Sequence, residues 1–101
     1  MKICDKMTIR LEKFKKRMEP AKQMYTREIS DFASNYDTLG EMTTSEYPDI
    51  DCQEYIFEFE NVNGASDEEL DQILLEIHGH MVEFSKVHGI EEFSQWVRIC
   101  L

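Results

Sequence analysis

Residues 66–89 constrain this fold more than any other stretch, because they read as one long helix with both ends specified. Ser66 can accept from the backbone of Glu69 while the Glu69 side chain reaches back to the Ser66 amide, a capping box. Asp67, Glu68 and Glu69 fill the first turn, where the helix dipole favours carboxylates. Leu70, Ile73, Leu74, Ile77, Met81, Phe84 and His88 fall within about a third of the helix circumference, a core-facing stripe. Gly89 supplies the left-handed cap that ends the helix, and His88 places a cation-forming ring at the C-terminal end of the dipole.

A helix of this length with one apolar stripe needs a flat surface to lie on. Residues 54–60 provide it: Tyr55, Phe57 and Phe59 alternate with Glu54, Ile56, Glu58 and Glu60, which is the period of a strand with one aromatic face. Residues 61–65 read as a turn with Asn63-Gly64 at its sharpest point. After the helix, Phe93, Val97, Ile99 and Leu101 alternate with Ser94, Trp96, Arg98 and Cys100, predicting a second strand near the first.

The N-terminal half is less decided. Met7, Leu11, Phe14 and Met18 recur at helical spacing and predict a helix over 6–18, with a strand as its rival because Met7, Ile9 and Leu11 also alternate. Pro20 breaks that element and can open a second helix. Its stripe is Met24 or Tyr25, Ile29, Phe32 and Tyr36, and Gly40 marks its latest end. Residues 37–51 lack a clear period and predict a loop, with at most a short strand around Met42 to Thr44. The expected fold is therefore α+β and two-layered, with N-terminal helices and one long capped helix packed on a small sheet. A strand-helix-strand unit forms its C-terminal half. The 101 residues make one domain by length, with residues 1–19 as a basic helical arm within it.

Charge narrows the function. Residues 1–27 hold nine Lys or Arg against three acids, whereas residues 28–101 hold two against eighteen. No base occurs between Arg27 and Lys86, and sixteen acids do. Such a body repels nucleic acid and attracts cationic partners. Cys4, Cys52 and Cys100 are odd in number and 48 residues apart, unlike a disulfide framework or a zinc site. No apolar run approaches the roughly 20 residues of a membrane span, and the first residues carry no apolar stretch of the signal-peptide kind. The expectation is a cytoplasmic protein without a membrane partner.

Chemistry-bearing motifs are weak. His78, His80 and His88 lack the i, i+4 spacing that zinc-binding helices use. Asp49, Asp51 and Glu54 meet only the first requirement of a calcium loop, alternating oxygens. The four glycines build neither a phosphate-cradling loop nor a nucleophile elbow. Catalysis, a metal and a cofactor are therefore not expected. Two surfaces remain. One is acidic, comprising Asp49, Asp51, Glu54, Glu58, Glu60, Asp67 and Glu68. Glu58 and Glu60 stand about 6.7 Å apart along the strand, close to a phosphate repeat, so this face could offer a nucleic-acid mimic to a basic, even nucleic-acid-binding, protein. The other is apolar: Leu75, Gly79 and Val82 lie opposite the core stripe, where a homodimer or an adaptor contact would form. The first surface predicts a non-catalytic regulator or inhibitor. The alternative is a small structural or adaptor protein whose acidity serves solubility alone.

Overall fold

A computed structural model describes residues 5–14, 22–48, 52–89 and 95–99. The elements run β1 (Lys6–Phe14), α1 (Lys22–Ala33), β2 (Leu39–Pro48), β3 (Cys52–Asn61), α2 (Asp67–His88) and β4 (Gln95–Ile99). The strands form one sheet in the order β2-β3-β1-β4, and every neighbouring pair is antiparallel. Since β3 pairs with both β1 and β2, those two run parallel with β3 between them. By the same reasoning β3 and β4 are parallel with β1 between. Two interleaved split β-α-β units of this kind make the ferredoxin-like arrangement.

The α+β, two-layer expectation holds, but its N-terminal part needs correction. Residues 6–14 are a central strand and not a helical arm. Met7, Ile9 and Leu11 are 0% exposed and oppose Phe59, Phe57 and Tyr55 across the ladder to β3. The period of two wins over the helical spacing because β3 and β4 saturate the backbone of β1 on both sides. A helix would have buried only every third or fourth residue. Phe14 ends the strand, and Met18 and Pro20 lie outside the described residues. Among the described residues one helix therefore stands in the N-terminal half, where two were expected. It buries Tyr25, Ile29 and Ala33, packs Phe32 at the core edge and leaves Met24 exposed, whereas Tyr36, expected in its stripe, lies beyond its end and packs against the core from the following turn.

The loop expected over 37–51 is also corrected, for residues 39–48 are a ten-residue edge strand. Beyond the buried Leu39 at its start, Met42 and Thr44 face Phe59 and Phe57 and include one apolar side chain, so the alternation that marks a strand is faint. Gly40 does not end a helix. It sits in the register shift between Leu39 and Met42, where a Cβ would come within 2.9 Å of Val62 Cγ1 and 3.2 Å of Glu60 Cβ.

The C-terminal half follows the sequence closely. Ser66 accepts from Glu69 N at 3.2 Å and donates its own N–H to Glu69 Oε1 at 3.4 Å, completing the capping box. Gly89 takes the left-handed conformation, φ 63°. Leu70, Ile73, Ile77 and Met81 lie on the sheet with the α1 residues. Of the two alternating sets in β4, Trp96 and Arg98 face the helices, because their register partners on β1 are Leu11 and Ile9. His88 is corrected from the core stripe to an exposed position, its ring 4.3 Å from that of Phe84, and Ser85 takes the buried place at this end. Among the described residues no helix is long and apolar enough to cross a membrane.

Candidate functional site

Both helices cover the face of the sheet that carries Met7, Ile9, Leu11, Tyr55, Phe57 and Phe59. The opposite face is built from the alternate residues, and the ladders place them in rows. One row reads Thr43, Glu58, Thr8, Ile99 from β2 to β4, and the next reads Ser45, Ile56, Arg10, Val97. At about 4.8 Å between strands, each row is roughly 14 Å wide. Glu60 stands opposite Lys6 at one end. Glu41, Thr43, Glu58, Glu60 and Lys6 line a shallow depression there, with three carboxylates around one ammonium. Val97 is 39% exposed and Ile99 half-buried on the edge strand β4, while Ile56, also half-buried, lies on β3 with Arg10 between it and Val97.

Of the residues expected to form an acidic surface, Glu54, Glu58 and Glu60 share this face. Asp67 and Glu68 do not join them, since they lie in the first turn of α2 on the helix side. Asp67 is tied to Arg98, which also donates from Nε to Asp71 Oδ1 at 2.6 Å. Burial works against the Arg98 cation, but the hydrogen bonds to Asp71 and Asp67 outweigh it and hold its pKa above the ordinary value. The Arg98 side chain is only 7% exposed, so this three-residue clamp fixes β4 to α2. Asp49 and Asp51 lie outside the described residues.

The open face carries two cations that the helical reading of residues 6–18 hid. Lys6 Nζ lies 4.0 Å from Glu58 Oε2, and Arg10 Nε lies 3.8 Å from Glu54 Oε2. Their signal was present in the sequence: Lys6, Thr8 and Arg10 alternate with Met7, Ile9 and Leu11. The face is consequently a mixed lattice in which charged, polar and apolar side chains are interspersed. Glu41 and Glu60 hold no ion pair among the described residues.

The apolar candidates on α2 are open. Leu75 is 63% exposed, Gly79 has nothing within 4 Å of an added Cβ, and Val82 is half-buried. The histidines are distributed along the packing seams. His78 stacks on Trp96 with ring centres 4.8 Å apart. His80 stacks on Phe32 at 4.1 Å, and its Nε2 meets Glu28 Oε2 at 2.6 Å, joining α1 to α2. Among the described residues no three His, Cys, Asp or Glu side chains converge to hold a metal ion.

The same seam holds a tyrosine-carboxylate contact. Tyr36 donates to Glu76 Oε1 at 2.5 Å, and Gln72 donates to Glu76 Oε2 at 3.2 Å. Burial first, then the hydrogen bond and charge of Glu76, push the Tyr36 phenol above its ordinary value of 10.0. The Tyr36 hydroxyl, then the Gln72 amide, hold Glu76 below the ordinary 4.5. A depressed carboxylate contributes stability above its unfolded pKa and loses it as the pH falls. Tyr36→Phe should therefore cost stability at neutral pH, and its difference from wild type should shrink between about pH 5 and about pH 3. Urea midpoints across that range check this; a constant difference contradicts it.

Compared with known proteins, the chain matches no protein-family model, no curated protein and no solved structure.

Proposed function

We propose that this chain is a non-catalytic interaction module, a small cytoplasmic regulator or inhibitor that docks its open sheet face on a basic protein. One observation carries the reading. Both helices pack on a single face of the sheet, and the other presents Glu41, Glu54, Glu58 and Glu60 interspersed with Ile56, Val97 and Ile99. Exposed apolar side chains set among charged ones suit a protein interface, in which apolar burial gives affinity and charge gives orientation and speed of encounter. Lys6 and Arg10 interrupt the carboxylate row. The partner surface that fits is then one of mixed charge with a basic excess, and a strict copy of a phosphate backbone is the less apt form of the idea. Fold analogy plays no part here, since this arrangement hosts many unrelated functions.

Capture from lysate on immobilised protein, eluted with a salt gradient, tests the charge component. A partner with a basic surface, released below roughly half-molar salt, is the expected result, since exposed charge contacts are screened at that strength. A partner indifferent to salt contradicts it.

A second reading is supported by Leu75, Gly79 and Val82 on the outer face of α2, where a second copy of the chain could pack. The space around Gly79 makes Gly79→Leu diagnostic. The monomer should gain about 0.5–1 kcal/mol from better helix propensity. A dimer through this face should dissociate in sedimentation. An unchanged dimer, or a wild type that sediments as a monomer, ends that reading.

A further inference from the structure

A cleft of ≈ 450 Å³ lies between α1 and the β2–β3 edge of the sheet, on the helix side and away from the open face. Gln23, Thr26 and Arg27 line it from α1, Thr44 and Ser45 from β2, and Tyr55 and Phe57 from β3. It exists because the inward position of β2 opposite Phe57 is the small Thr44. The helix residues above it, Gln23, Thr26 and Arg27, are polar, while the apolar Tyr25 and Ile29 turn toward the centre of the core. A helix laid over an edge strand of that composition cannot close the space.

Arg27 is set apart from the other cations whose side chains are described. Lys6, Arg10, Lys86 and Arg98 each meet a carboxylate, at Glu58, Glu54, Glu83 and Asp71 respectively. Arg27 meets none among the described residues, although Asp31 is one helical turn along and the chain has 21 acids. In a protein of net charge −10, a guanidinium without a carboxylate at a cleft with hydroxyl and amide walls is a place where an anion is favoured over its surroundings. The volume falls within the roughly 300–1,000 Å³ of small-molecule sites, which pair apolar walls with a few convergent polar groups.

We propose that this cleft binds a small organic anion, with its carboxylate or phosphate-ester head on Arg27 and the hydroxyls of Thr26 and Thr44, and its apolar body toward Tyr55 and Phe57. The guanidinium and hydroxyls donate to the oxyanion, and the ring edges accept the hydrocarbon. The site is separate from the proposed interface, so either can fail alone.

The test uses phenyl phosphate and phenylacetate as probes and benzyl alcohol as their neutral counterpart, titrated into nitrogen-labelled protein and followed by amide chemical shifts. At least one of the anions should shift the amides of residues 23–27 and 44–45 saturably, and the two anions together distinguish a phosphate from a carboxylate site. Benzyl alcohol should leave those amides nearly unmoved. Arg27→Met keeps the aliphatic stem and should weaken binding about tenfold or more, the scale of one lost charge-assisted contact. Arg27→Lys should restore part of it, and Thr44→Leu should block binding by filling the cleft. No saturable shift with either anion, equal shifts with benzyl alcohol, or undiminished binding by Arg27→Met overturns the assignment.

Discussion

Phe59→Ala should destabilise the protein by about 3–5 kcal/mol, whereas Ile56→Ala, three residues earlier on the same strand, should cost about 1 kcal/mol. Both are large apolar side chains in β3, so strand propensity does not separate them. Their faces do. Phe59 is 1% exposed, opposes Met7 on one side and Met42 on the other, and belongs to the core cluster that the α2 stripe completes. Its removal leaves a cavity that the flanking central strand cannot collapse into. Ile56 opposes Arg10 and Ser45 on the uncovered face and is already half in solvent. Urea unfolding of the two variants, with unchanged slopes, measures the difference. Comparable losses would mean that something covers the second face as well, and the proposed interface would be withdrawn.

Asn61→Ala should cost about 2–3 kcal/mol, the largest effect expected of a polar residue here. The Asn61 amide donates to Ala65 O at 2.9 Å, and its carbonyl accepts from Ala65 N at 2.8 Å and from Thr38 Oγ1 at 2.6 Å. Its backbone N–H donates to Asp5 O, and the next residue, Val62, donates to Thr38 O. One side chain thereby shapes the β3–α2 turn and ties it to the turn before β2. Ala65 is 5% exposed, so truncation strands its N–H and C=O away from water, which costs more than the mere loss of a contact. Asn61→Asp keeps the acceptor for Ala65 N and Thr38 but sets an oxygen against Ala65 O, and should fall between wild type and alanine. A loss below about 0.5 kcal/mol for Asn61→Ala would show that the turn is held by its backbone alone.

The sequence made the C-terminal half legible because there local and tertiary signals agree. Ser66, Glu69 and Gly89 specify the ends of α2 by contacts within a few residues, and Tyr55, Phe57 and Phe59 alternate without competition. Residues 6–14 were ambiguous for a physical reason. Met7 and Leu11 fit either period, and what decides is the pairing of β1 with β3 and β4, whose residues lie more than 35 positions away. The strand β2 was hidden because an edge strand beside an open cleft needs few apolar residues: Met42 opposite Phe59, with the small Thr44 opposite Phe57, suffices. The candidate surface suffered from the same error. Glu54, Glu58 and Glu60 were visible as one face of a strand, but the cations among them, Lys6 and Arg10, arrive from β1 and follow from topology alone. Asp67 was grouped with them by charge, yet Arg98 claims it on the other layer.

The most direct test of the central claim compares two charge variants of opposite faces in the same capture experiment. Glu41→Lys with Glu60→Lys reverses the two carboxylates of the open sheet face that hold no ion pair among the described residues, and Leu75→Glu alters the exposed face of α2. Docking through the sheet predicts that a basic partner is lost with the first variant and retained with the second. Retention by the sheet-face variant together with loss by the helix-face variant would contradict it and move the interface to α2.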